Sequence, residues 1–171
     1  MRARSLSFAA VAAALVLVRP GLAVAADDPS TTVTYTVTSG ALTMSVPVSS
    51  NLGSGAPGTA ISGAIGAVSV VDDRALASAS WTVTAAETDF TSGTSTIPAT
   101  SADYAPGSIT TTGTITATGT SVTLSNPAQT VVSGTDGVGD NTATWNPTVT
   151  VHVPAGAVGG TYNGTLTQSV A

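Results

Sequence analysis

The sequence has no cysteine and no lysine. The missing cysteine excludes a disulfide and a thioether-linked lipid within these residues. Histidine occurs once, at His152, so a zinc site or a Ser-His-Asp triad lacks most of its ordinary vocabulary. Aromatic residues make up 4% of the chain and charged residues 8%. Few side chains are therefore available to wall a sugar-binding cleft or to clamp an ionic substrate. Long apolar runs are also missing beyond the first residues, so the reading expects no membrane insertion.

What is present begins with Arg2 and Arg4, followed by an apolar run from Phe8 to Val18. A run of about ten residues is the length of a signal-peptide core and too short to span a bilayer. Ala23-Val24-Ala25 supplies the small-x-small pattern of a cleavage site. These residues predict a signal peptide over 1–25 and one mature domain over 26–171, secreted and extracellular. Arg2, Arg4 and Arg19 would leave with the leader. Nine acidic residues then face a single basic one, Arg74, for a net charge of -8. Such a surface repels nucleic acid and anionic lipid, so neither is expected as a partner.

Low charge alone suggests disorder, but disorder also needs low hydrophobicity, and mean hydropathy here is positive at +0.37. Threonine is abundant, and the pattern runs at period two almost throughout. Val33, Tyr35 and Val37 alternate with threonines. Beyond Ser39-Gly40, Leu42, Met44, Val46 and Val48 do the same, which predicts a hairpin. Ala79, Trp81, Val83 and Ala85 share one face of a later strand. Ser133 to Asn141 reads as a Gly/Asp turn region. Ala143, Trp145, Val149, Val151 and Val153 form one face of a long strand, with Pro147 marking a bulge or bend. No helical period persists after the leader. The predicted fold is all-β, an antiparallel β-sandwich of Ig-like or jelly-roll-like form with about nine strands.

The chemistry-bearing candidates are sparse. Asp72, Asp73, Glu87, Asp89, Asp103, Asp136 and Asp140 could in principle supply paired carboxylates for sugar hydrolysis, but spacing along the chain brings no pair together. Asp136, Asp140 and Asn141 offer hard oxygens for calcium without the full spacing of an EF-hand or its closing glutamate. The favoured expectation is no metal and no cofactor. Arg74 is placed to fork onto a neighbouring carboxylate and pin a turn. Trp81 and Trp145 lie in register with aliphatic residues, so core packing is favoured over sugar stacking. Tyr104, in a Pro/Gly setting, is the better candidate for an exposed ring. Trp81, Tyr104 and Trp145 are the candidate binding residues, and no catalytic residue is assigned.

Three stretches carry a family resemblance. Asp72-Asp73-Arg74 precedes Trp81-Thr82-Val83-Thr84. Ile97-Pro98-Ala99 leads to Tyr104. The close runs Ala143-Thr144-Trp145, Val153-Pro154 and Gly160-Thr161-Tyr162-Asn163-Gly164-Thr165-Leu166-Thr167. In these the chain resembles the Trp-x-Leu (WxL) domain family of bacterial secreted surface proteins, from about Val33 to Val170. The resemblance implies a non-enzymatic module attached non-covalently to the cell wall, through peptidoglycan. Its partner would be a cell-wall polymer or another surface protein. The alternative reading is an adhesin-like domain for carbohydrate or protein; a hydrolase using paired carboxylates comes after it. The chain departs from the family pattern at two places. Val83 stands for leucine in the first motif, and Gln168-Ser169-Val170 stands where a second Trp-x-Leu belongs. If that position faces the core, the Gln168 amide needs a partner, because burying it unpaired costs roughly 1–3 kcal/mol.

Overall fold

The computed structural model describes residues 29–171, and the expected leader over 1–25 lies outside them. The described residues form twelve strands and one short 3-10 turn, all strand pairings being antiparallel. The strands are β1 (Leu42–Ser45), β2 (Ala60–Ala64), β3 (Val68–Asp72), β4 (Ala79–Glu87), β5 (Phe90–Ser92), β6 (Ser95–Ile97), β7 (Ala102–Ala105), β8 (Ile109–Gly119), β9 (Val122–Thr123), β10 (Gln129–Trp145), β11 (Thr148–His152) and β12 (Leu166–Val170). The count exceeds the expected nine because short pieces such as β5, β6 and β9 carry too few residues to show a period. Among these residues no helix is long and apolar enough to cross a membrane.

Six strands make the first sheet in the order β1-β3-β10-β4-β12, with β8 also paired to β10. Four make the second, β2-β11-β7-β9, and β5 with β6 forms a separate hairpin. The period-two pattern explains the layering. In β4, Ala79, Trp81, Val83 and Ala85 are buried while the residues between them are more exposed. β3 buries Val68 and Val70, and β11 contributes Val149 and Val151 from the opposite sheet. These residues, with Leu124, Val131 and Val132, make one continuous core between the sheets.

Three of the places where the chain passes between the sheets lie together. β2 leads into β3 through Gly66, β7 into β8 through Pro106-Gly107, and β10 into β11 through Asn146-Pro147. The Gly66 N–H donates to the Asn146 side-chain carbonyl at 3.1 Å, and the Ile65 N–H to the Pro147 carbonyl at 3.0 Å. Hence the long strand expected from Ala143 to Val153 is two strands in different sheets. Pro147 offers no N–H, so the ladder breaks where the chain turns the corner.

Two other expectations are corrected. Residues 29–41 hold no strand, and Val33, Tyr35 and Val37 are exposed at 82%, 84% and 74%. β1 pairs instead with β3, Met44 opposite Val70. The stretch Ser133–Asn141 is not a turn between strands but the middle of the 17-residue β10. Its turn-forming residues serve as bulges. The register against β4 shifts between Gly134 and Gly137, and Asp136 there has a left-handed φ of 58°.

Gly134 has a second reason for its identity. It sits directly across from Trp81, whose indole lies on it, and an added Cβ would collide with the ring. Gly134→Ala is expected to destabilise the fold by about 1–3 kcal/mol, the ordinary cost of overpacking a core. Urea unfolding followed by circular dichroism checks this. An unchanged midpoint would mean that the indole swings clear of β10.

Candidate functional site

The three aromatic candidates converge, but inside the core. Trp81 and Trp145 are each 2% exposed and Tyr104 is 0% exposed. Core packing is thus the role of both tryptophans, and the exposure expected of Tyr104 is overturned. In β7 the alternation Ala102, Asp103, Tyr104 turns Ala102 and Tyr104 inward and leaves Asp103 more exposed. This local period outweighs the Pro/Gly flank.

Trp145 and Tyr104 form a relay with Gln168, whereas the buried Trp81 Nε1 has no hydrogen-bond partner. Trp145 Nε1–H donates to the Tyr104 hydroxyl at 3.0 Å, and that hydroxyl donates to Gln168 Oε1 at 2.9 Å. Burial pushes the Tyr104 phenol up to about 12, against the opposing effect of the Trp145 N–H. Gln168, on β12, therefore has the hydrogen-bond partner that its half-buried position requires.

Gln168 also lines a wide opening. This is a cleft of about 750 Å³ between the second sheet and β12, with the loops around 46–57 and 157–165 as its lips. Aliphatic side chains from both sheets, including Ile61, Val149, Val151 and Leu166, form its walls, joined by Phe90 and Ile97 of the β5–β6 hairpin. The volume falls within the usual range for small-molecule sites, which are mostly apolar with a few placed polar groups.

The other placed polar group is Glu87, the last residue of β4. It continues the buried register of Ala79, Trp81, Val83 and Ala85, so a carboxyl group falls on the apolar face. Glu87 is 4% exposed, and its Oε1 has no hydrogen-bond partner. Burial pushes its carboxyl up to about 7, with a backbone hydrogen bond from Thr88 pulling the other way. Oε1 rests against Gly164 on the far lip. An added Cβ there would lie 2.5 Å from Oε1 and 2.7 Å from the Phe90 ring. Glu87 was visible in the sequence as one carboxylate among seven. Its parity with Trp81 and Val83 is the signal that distinguishes it.

Glu87 also lines a second, smaller cavity of about 340 Å³ with Thr88, Asp89, Ala99, Thr100, Ser125 and Asn126. Two candidate carboxylates, Glu87 and Asp89, therefore share one opening. Asp89 is partly committed there, since its Oδ1 accepts the Ala99 N–H at 2.9 Å.

The remaining candidates are dispersed. Asp72 is buried, and Arg74 forks onto it with two bonds of 2.8 Å while also reaching the Ser80 carbonyl at 3.0 Å. The Arg74 guanidinium holds the Asp72 carboxyl below its ordinary range, as the expected turn-pinning pair requires. Asn141 lies across from Asp72 and is buried, whereas Asp136 and Asp140 are exposed, so the calcium trio is split between two environments. Among the described residues no three acidic or histidine side chains are grouped to hold a metal. His152 is exposed on β11 and lies 2.9 Å from Asp103, which also accepts the Thr123 hydroxyl at 2.7 Å. The sheet register supplies this partner, which chain distance concealed.

The chain matches no family model, no curated protein and no solved structure. Any reading of its activity rests on the site itself and on the motifs of its sequence.

Proposed function

We propose that the chain is a non-catalytic binding module, exported from a bacterial cell and held non-covalently at the cell wall. The observation that carries the binding role is the cleft of about 750 Å³, apolar in its walls and edged by the buried carboxyl of Glu87 and the amide of Gln168. Export is supported by the leader-like residues 1–25, and the wall as destination by the motifs around Trp81, Trp145 and Tyr162. With Trp81, Tyr104 and Trp145 in the core, contact with glycan or peptide falls to the cleft and the threonine-covered outer faces.

Charge sets how such a contact behaves. A chain with a net charge of -8 after leader removal is repelled by an anionic wall at low salt. Purified residues 26–171 are expected to pellet with isolated cell walls saturably, and more strongly at moderate salt or with calcium. Absence of pelleting in every condition would dismiss wall attachment. Loss of pelleting with added salt would dismiss this account of the contact.

A hydrolase is the second reading, favoured by the cavity that Glu87 and Asp89 share. A carboxyl that burial holds protonated toward neutrality, sharing a cavity with a second carboxyl group, is an acid–base arrangement. Release of soluble sugar or peptide from the same walls, lost in Asp89→Asn, would establish it. Intact walls after prolonged incubation would remove it.

A further inference from the structure

A buried acceptor without a partner needs an explanation, and Glu87 Oε1 is one. The described residues offer no cation to meet it. Arg74 is the single lysine or arginine among the described residues, and it is tied to Asp72 and Ser80. His152 is engaged with Asp103 on an exposed part of β11. The other titratable groups around the cleft are Asp89 two residues along, Tyr162 on the opposing lip and Tyr104 behind Gln168. All are acids or phenols, so none supplies positive charge.

Oε1 has no exposed surface, and the residues that cover it belong to the cleft. It rests against Gly164, and the Phe90 ring lies beside the same glycine; both residues line the cleft. Gln168 Oε1 is already satisfied by the Tyr104 hydroxyl, which leaves Glu87 Oε1 as the unpartnered acceptor at the cleft. Beyond it the walls are aliphatic. A ligand complementary to this arrangement carries a positively charged donor at the end of an apolar stem.

We propose that the cleft binds a primary alkylammonium group, its nitrogen displacing the Gly164 lip to donate to Glu87 Oε1 and its stem lying along Ile61, Phe90, Val149 and Leu166. This rests on the reading of the cleft as the ligand site and names the chemistry that site selects. An ammonium has three donors and needs few acceptors, whereas calcium takes six to eight oxygens, more than this edge offers. Excluding water from the pair strengthens a charge-assisted hydrogen bond relative to one formed on the surface. An amine-bearing side chain of an envelope peptide and a free alkylamine present the same group.

The test is calorimetric titration of residues 26–171 with n-hexylammonium, n-hexanol and hexanoate at pH 7. Hexylammonium is expected to bind one to one and on the order of tenfold more tightly than hexanol, with hexanoate weakest. Because the amine draws the Glu87 carboxyl into its ionised form, its binding at pH 6 releases protons. The measured heat then varies with the ionisation enthalpy of the buffer, whereas the hexanol heat does not. This reading uses the unaltered chain and is independent of any variant's folding. Glu87→Gln is expected to bind the amine no better than the alcohol. Equal binding of amine and alcohol, unchanged amine binding by Glu87→Gln, or no amine binding up to its solubility limit would each overturn the proposal. If walls pellet the protein while hexylammonium neither binds nor competes, the ammonium site fails and wall attachment stands. If hexylammonium binds and walls do not pellet the protein, the site stands and its ligand lies elsewhere.

Discussion

Trp145→Ala is expected to cost about 3–5 kcal/mol of folding stability, the range for removing a buried aromatic side chain. The indole stands at the end of β10, opposite Val68 on one neighbour and Ile109 on the other. The next residues, Asn146 and Pro147, carry the chain to the second sheet. The ring thus packs where the chain passes from one sheet to the other. Its N–H also begins the relay through the Tyr104 hydroxyl to Gln168. Tyr104→Phe separates the two contributions. It keeps the packing but leaves the Trp145 N–H and Gln168 Oε1 without their shared partner, at a cost of about 1–3 kcal/mol. Urea unfolding of Trp145→Phe, of Tyr104→Phe and of the double variant carrying both gives the coupling between the two side chains. Additive effects would show that the relay contributes nothing beyond packing. A loss below about 1 kcal/mol for Trp145→Ala would be inconsistent with a buried ring at this position.

This relay also bears on the departure from the WxL pattern at Gln168. A glutamine in place of an aromatic residue raised the question of an unpaired amide. The facing sheet answers it for the carbonyl oxygen: β7 presents Tyr104, whose Pro/Gly setting suggested exposure, and its hydroxyl is the group that Gln168 uses. The Tyr104–Gln168 pair is separated by 64 residues, so no local pattern announces it.

The same division between local and nonlocal information runs through the fold. Alternation in Ala79–Ala85 and in Val149–Val151 reads directly as strands with a buried face, because the pleat turns every second side chain inward. Val33, Tyr35 and Val37 alternate as cleanly, yet residues 29–41 form no strand. A strand needs a neighbour to complete its ladder, and period two says nothing of whether one is available. In β10 the error runs the other way. Glycine and aspartate mark positions of unusual backbone geometry, and a bulge uses them as readily as a turn. The candidate cleft was the least visible feature, since its walls come from both sheets and two loops. Glu87 alone left a trace, as a carboxylate in an apolar register.

That carboxylate sets the expected pH dependence of stability. The Glu87 carboxyl titrates near 7 in the fold against an ordinary 4.5, because burial disfavours its charged form. Between these values the unfolded chain gives up the proton and the folded chain keeps it. The folded state is therefore favoured fully below pH 4.5 and loses that advantage as pH rises to about 7, by about 3 kcal/mol in all. Asp72 acts in the opposite sense. Its folded value is held below the ordinary 3.8 by Arg74, so its contribution is present above that pH and disappears as pH falls through the folded value. Asp103, held down by the Thr123 hydroxyl and then by His152, adds in the same direction as Asp72. Stability is thus expected to peak at about pH 4–5, on the acid side of neutrality, and to decline toward pH 7. Glu87→Gln removes the proton linkage but keeps the shape of the side chain. Its unfolding free energy is expected to be flat from pH 5 to 7 and to exceed that of the unaltered chain at pH 8. Urea unfolding across this range decides the matter. A parallel decline in the variant would place the linkage on another group, while a flat profile in the unaltered chain would show Glu87 hydrated and ionised in the folded state.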